Sequence, residues 1–554
     1  MPDGLPPAPA GRFVSGSILR HVVVMAATGS VGLMAIFVVD LLSLFYVSKL
    51  GDPNLTAAIG FAAIVQFFAT AVNIGLMIAA GALVGKAVGA GDRAAARRLS
   101  SSALGLGSLA AAVIAALIFA LSDPLLSLIG ARGEALRVAG LFLAITLPSN
   151  LLLAAGMLFT GLLRAVGAAR QAMLVTLAGA IVTAALDPLL IFGAGLGVEG
   201  AAITVCVARA TFVAVGLRGV MRHHLLGLPR VADMVADAPV LAAVAGPAVL
   251  TNLAPSVASA FLARLFAGYG ADAVAAAAVI DRLTPVAFGG LFALSGAIGP
   301  ILAQNWGAGR FDRMRGVLRE AVRVTLVYVA VVWLLLALAR EPLASLFGLQ
   351  GVARDLFGFF CLAGGAIWFF NGMLFLGNAA FNNLGFPVRS TLLNWGRATL
   401  GTVPPAMLGA ALYGPRGVVA GMGLGSLVFG ILGILLARRT VDRLEARGGR
   451  LPQPQPQPQP AQNARRCRPA TPSRAGELSP GRPVRHAIPP DRPGRADLST
   501  SSSRGNWYFA AQPVTMPRPG RFDRDGDEAS CSTRSRCSRP RARPGSRRWP
   551  SNSA

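Results

Sequence analysis

Two aspartates offer the plainest chemistry in this sequence. Asp40 and Asp187 each stand well inside a long apolar run, at residues 22–47 and 172–192. A charge at mid-bilayer costs at least about 2.5–3.5 kcal/mol on insertion scales, so an acid at that depth needs a task. A carboxylate in a cavity of low dielectric titrates closer to neutrality than one in water, and a second carboxylate nearby accentuates the effect. Such a pair can load and release a proton, or bind sodium, as its cavity changes shape. The competing reading is static: either acid pairs with Arg209, or caps a kink, which Pro188 directly after Asp187 makes credible. The basic residues in or near apolar runs are Arg209, Arg264, Arg282 and Arg397, for which pairing within the protein or snorkelling to the interface is expected.

The elements that hold these groups follow from composition. Of 554 residues, 54% are hydrophobic and 14% charged, against about 25% charged in an ordinary soluble domain. Crossing the hydrocarbon takes roughly 20 apolar residues per helix. Twelve such runs are present, at 22–47, 55–80, 99–121, 138–162, 172–192, 198–220, 240–266, 274–301, 321–338, 356–380, 391–412 and 418–436. Backbone polar groups in lipid must be satisfied within the segment, so each run is predicted as helix. The first is longer than a signal-peptide core and is expected to be retained. The fold class is therefore an all-α polytopic membrane protein.

Six runs plus six invite a search for a repeat, and one occurs at a constant offset of 218 residues. GALVGKAVGAG (Gly81 to Gly91) follows the second run and GPILAQNWGAG (Gly299 to Gly309) the eighth, pairing Gly81, Gly89 and Gly91 with Gly299, Gly307 and Gly309. The same offset pairs Gly167 with Gly385, while Asp40 and Asp187 meet Ala258 and Pro405, so the carboxylates belong to one half only. Halves separated by an even number of spans share one orientation. They form parallel repeats about an axis along the membrane normal, with substrate expected between them. The expected organisation is an N-terminal segment 1–19, an N-lobe 20–225, a connecting loop 226–239, a C-lobe 240–440 and a tail 451–554.

Loops after even-numbered runs hold 15 Lys and Arg, and those after odd-numbered runs hold 6. The positive-inside rule then puts both termini in the cytoplasm. The formal charge of +26 is not a nucleic-acid footprint, because 19 Arg against 7 acids fall after residue 450 and most of the remainder in those loops. The tail opens with PQPQPQPQP and continues rich in Pro, Arg and Ser, a composition expected to stay disordered. Cys206, Cys361, Cys467, Cys531 and Cys537 have no metal-site or disulfide spacing. His21, His223, His224 and His486 all lie outside span centres, which argues against a membrane-embedded enzyme.

Three stretches resemble the multidrug and toxic compound extrusion (MATE) family: VVDLLSLFYVSKLG (Val38 to Gly51), GLLRAVGAARQAMLVTLAGAIVTAALDPLLIFGAGLGVEGAAIT (Gly161 to Thr204) and IGPILAQNWGAGRFDRMR (Ile298 to Arg315). The resemblance spans residues 15–440. It implies two six-helix lobes around a central cavity and export of small organic, often cationic, compounds in exchange for protons or sodium. It also implies a monomer in the bacterial inner membrane, with lipids and substrate as partners and no cofactor beyond the coupling ion. Asp40 matches the family's first-helix aspartate, Asp187 the aspartate of LDP in helix five, and Thr204 the threonine of GAA-x-T in helix six. Thr183 stands where an asparagine is common, which alters the hydrogen-bond network of that ion site. Sodium-coupled members also carry acids in helices seven and ten. The nearby polar residues here are Asn252 and Asn371, which favours protons. Asn252, Asn371 and Arg209 are assigned to the substrate cavity. A lipid-linked oligosaccharide flippase of the wider superfamily is the alternative, supported by Arg209, Arg264 and Arg397.

Overall fold

In a computed structural model of the chain, residues 11–448 are described, and the tail from residue 451 lies outside them. The described residues form α1 (Ile18–Ser48), α2 (Pro53–Gly89), α3 (Arg93–Ala120), α4 (Ser122–Leu128), α5 (Gly133–Thr146), α6 (Asn150–Ala165), α7 (Ala169–Pro188) and α8 (Gly197–Arg222) in the first half. The second half holds α9 (Val231–Ala267), α10 (Ala271–Gly307), α11 (Phe311–Leu346), α12 (Gly351–Asn383), α13 (Pro387–Ala398) and α14 (Val403–Ala446).

Ten helical stretches are individually long and apolar enough to span a bilayer, and α5 with α6, bent by 57°, make another crossing. The 60-residue stretch Pro387–Ala446 is too long for one crossing. Gly414, at φ 60° and ψ −142°, breaks it into two. Past that break the chain returns on itself. A Cβ at Gly417, Gly421 or Gly425 would fall on the carbonyl oxygens of Gly409, Pro405 and Gly401 respectively. These contacts recur every four residues in opposite directions, the pattern of an antiparallel helix pair whose backbones touch because the crossing face lacks side chains. Twelve crossings result, six in each lobe.

The repeat has a physical origin in the turns. Gly91 and Gly309 have φ of 78° and 68°, Gly130 and Gly348 100° and 64°, Gly133 and Gly351 55° and 50°, and Gly167 and Gly385 83° and 79°. Each pair is 218 residues apart, and each needs a left-handed backbone that only glycine adopts cheaply. The two Gly-rich segments placed after the second and eighth apolar runs are mostly helix, however: α2 and α10 each run 37 residues, to Gly89 and Gly307. They continue because they cross each other there. A Cβ at Gly89 would lie 2.0 Å from the Gln304 carbonyl oxygen, and one at Gly307 2.0 Å from the Lys86 carbonyl oxygen, a reciprocal contact across the repeat axis. Elsewhere the lobes meet where α1 packs on α10 and α2 on α9.

A short strap ahead of α1 lies over this crossing. The Phe13 ring is buried, and its N–H donates to Gln304 Oε1 at 2.9 Å. Arg313 donates to the carbonyls of Phe13, Ser15 and Gly16 at 3.0–3.2 Å, and Arg12 reaches the Gly167 carbonyl at 3.1 Å. The Gln304 amide in turn donates to the Ala165 carbonyl at 2.6 Å. The strap thereby ties the two lobes together at the end that carries the basic loops.

Candidate functional site

The acids of the first half lie where a helix is broken. Pro188 lacks the N–H that would close the α-helical ladder. Residues Leu189–Gly193 continue instead as one wide π-helical turn, a form often found at functional positions. Asp187, just before it, is 2% exposed. Its carboxylate accepts from the Ser43 hydroxyl of α1. Thr204 of α8 is fully buried, with its hydroxyl between the Gly200 carbonyl at 3.1 Å and the Asp187 carboxylate. Asp40, one turn before Ser43 on α1, has an exposed side chain and lies close enough to Asp187 for their charges to interact. Tyr46 and Phe192 meet edge to face at 6.0 Å beside it. The outcome is a set of carboxylate and hydroxyl oxygens drawn from three helices, suited to a proton or a hard cation.

Two sequence-predicted residues are placed differently from the expectation. Thr183 turns back on its own helix and donates to the Gly179 carbonyl at 3.0 Å. Among the described residues Arg209 pairs with no aspartate, and it does not line the cavity described below. It donates to the Thr146 carbonyl, Ser149 Oγ and Gln66 Oε1, each at 2.8 Å, so neutral acceptors within the N-lobe already occupy its guanidinium. This corrects both its assignment to the substrate cavity and the static pairing with Asp40 or Asp187.

A cavity of about 660 Å³ is lined mainly by α9, α10 and α12 of the second half, with contributions from α2, α6, α13 and α14. Asn252 and Asn371 both line it. Asn252 donates to the Ala248 carbonyl at 2.8 Å one turn back. Among the lining groups that the sequence reading did not single out, five bear on the chemistry of the cavity. Asn378 and Asn382 fall seven and eleven residues after Asn371, and that spacing, one face of a helix, was the available signal. Arg164, at the end of α6, reaches across from the N-lobe against Gly296 of α10. Asp281 lies inside the eighth span, and Trp368 heads an aromatic wall in which it stacks on Phe288 at 5.0 Å while Phe292 packs on Phe375 at 5.0 Å. At the basic end the cavity is bounded by the α2–α10 crossing; toward the opposite end its lining continues to Phe266 and Val274 near the ends of α9 and α10.

The comparisons with known proteins agree with this architecture. The family described as MatE matches residues 30–189 and 247–408, two segments in the register of the repeat. A protein of Shewanella oneidensis named FAD transporter is 31% identical over 453 residues, covering 80% of this chain and 98% of its own. The multidrug export protein MepA of Staphylococcus saprophyticus is 22% identical, covering 78% and 97%. Among solved structures, the Vibrio cholerae MATE transporter VcmN in its bent form aligns with a TM-score of 0.73 at 24% identity, over 78% of this chain and 98% of that one. With more than half of its residues matched, in both halves, the chain belongs to the MatE family of membrane transporters.

Proposed function

We propose that this protein is a secondary active efflux antiporter that exports small organic compounds in exchange for protons or sodium, with the coupling ion within the N-lobe and the substrate in the cavity lined mainly by the C-lobe. The observation that carries the reading is the segregation of the two sites along α1. Asp40 and Ser43 stand near one end of this helix, and Gly29, Met34 and Phe37 pack it against Ala293 and Gly289 of α10, which lines the cavity. Loading the carboxylates removes charge from the N-lobe, α1 adjusts, and α10 passes the change to the substrate. The lobes then rock about the Gly89–Gly307 crossing. The relatives named for FAD transport and for multidrug export support an organic cargo.

By the positive-inside rule the basic end faces the cytoplasm of a bacterial inner membrane, with both termini there, and the closed crossing at that end makes this conformer outward-facing. A flippase for lipid-linked oligosaccharide would draw on Arg397 in the cavity. It would leave the Asp40–Asp187 pair without a task, and two of the arginines it invokes, Arg209 and Arg264, do not line the cavity. Proteoliposomes holding the purified full chain test the reading. An imposed proton or sodium gradient should drive accumulation of an organic dye against its own gradient, and dye flux indifferent to both ions would refute antiport. Cysteine labelling at the Arg310 loop should report the cytoplasmic side; labelling from the other side would overturn the orientation.

A further inference from the structure

We infer that the C-lobe cavity takes an aromatic compound bearing a phosphate or similar anion, with Arg164 and Arg397 as the residues that select it. This rests on the proposal above that the cavity is the substrate site. Charge is the first ground. Two arginines line the space against one acid, Asp281. Asp281 forms no ion pair with either arginine among the described residues. An anionic group therefore offsets the cavity's positive excess, whereas an organic cation would add to it.

The state of the guanidiniums is the second ground. The Nε of Arg397 is buried and has no hydrogen-bond partner among the described residues. The side chains of Arg164 and Arg397 donate to no described residue, in contrast to Arg209, whose donors are matched by neighbouring acceptors. A buried charged donor left without an acceptor is costly, and its planar fork matches a phosphate or carboxylate. Arg164 also crosses from the N-lobe to reach this position, lying against the bare backbone of Gly296. The ligand would thus touch both lobes.

Shape and polarity complete the assignment. Phe292, Trp368 and Phe375 give an aromatic wall for a planar ring, and the amides of Asn371 and Asn382 lie along one face of α12 within reach of ring heteroatoms. The Asn382 Oδ1 is itself buried without a donor among the described residues. The volume of about 660 Å³ suits a nucleotide-sized molecule. A lipid diphosphate would satisfy the arginines and leave the aromatic wall unused.

Flavin mononucleotide is a suitable probe, being planar, phosphorylated and fluorescent. Binding to the detergent-solubilised full chain is measured without a gradient, beside ethidium as the aromatic cation and farnesyl diphosphate as the ring-free lipid diphosphate. Flavin mononucleotide should bind saturably and more tightly than either. Arg164→Gln and Arg397→Gln should each weaken it by about tenfold or more, with partial recovery in Arg164→Lys and Arg397→Lys, which guards against a mere folding defect. Ethidium binding more tightly than flavin mononucleotide, or flavin affinity within about twofold of the parent in the double Gln variant, would overturn the inference. Tighter farnesyl diphosphate would overturn its aromatic part. Flavin that binds in this way yet moves under neither gradient would refute antiport and leave the binding assignment standing. Ethidium that is driven by a gradient, with no flavin bound, would do the reverse.

Discussion

Gly89→Ala is a sharp test of the claim that the α2–α10 crossing closes the basic end. The added Cβ would stand 2.0 Å from the Gln304 carbonyl oxygen and 2.5 Å from its Cα. Ordinary contact begins near 3.4 Å, so the helices must part by somewhat over 1 Å, and backbone atoms cannot rotate out of the way as a side-chain tip could. Overpacking of this kind costs about 1–3 kcal/mol. Because the strain is present only when the end is closed, the closed-to-open ratio should fall by about 5- to 150-fold. Hydrogen exchange followed by mass spectrometry reads this directly. Peptides covering 11–17 and 304–310 should exchange faster by a factor in that range, while peptides from the lobe interiors keep their protection. Gly307→Ala should behave alike, since its Cβ would meet the Lys86 carbonyl at 2.0 Å, and the double variant should fall short of the sum because both strain one crossing. Gly246→Ala is the control: nothing lies within 4 Å of its Cβ, so it should be neutral or stabilising by about 0.4–1 kcal/mol. Unchanged exchange at both peptides in folded Gly89→Ala protein would refute the reasoning.

The strap and the N-lobe network supply two further predictions. Phe13→Ala removes the buried ring of the strap. The loss, on the order of 3 kcal/mol, falls on its docking, so tryptic cleavage at Arg12 and Arg20 should quicken while Tm moves little; cleavage at the parent rate would contradict the strap's role. Arg209→Gln gives up the bonds to Thr146, Ser149 and Gln66. It should destabilise the protein by about 2–4 kcal/mol without altering ligand binding in the C-lobe, and loss of binding at unchanged Tm would return Arg209 to the substrate site.

Much of the architecture was legible because lipid leaves the backbone few choices. The apolar runs had to be helices, and of the glycines at 218-residue spacing Gly91 with Gly309 and Gly167 with Gly385 mark equivalent turns, each at a left-handed φ. Asp40 and Asp187 stood out because charge inside an apolar run is rare. What escaped depends on tertiary contact. Arg164 sits at the end of its span and counts as one more loop charge until Gly296 is seen to give it room. Arg209 suggested an ion pair, yet Gln66 on α2, Thr146 at the end of α5 and Ser149 in the turn after it satisfy it with neutral acceptors. The Gly-rich segments fell outside the apolar runs because glycine adds little hydropathy and usually breaks helices in water. Here its missing side chain is what lets two helices touch. The strap at Arg12 to Gly16 has no periodicity to detect, and only Phe13, an aromatic among Pro, Gly and Ala, hinted at burial.

The central claim is that the Asp40–Asp187 site couples an ion gradient to export. Gradient-driven uptake into proteoliposomes, compared between the parent and the Asp40→Asn, Asp187→Asn double variant at equal reconstituted protein, tests it most directly. Asn keeps the size and removes a charge that is costly at this depth, so the double variant should insert normally and bind ligand as the parent does. It should nevertheless fail to accumulate substrate under either a proton or a sodium gradient. Accumulation at the parent rate, with the parent's dependence on the driving ion, would contradict the account.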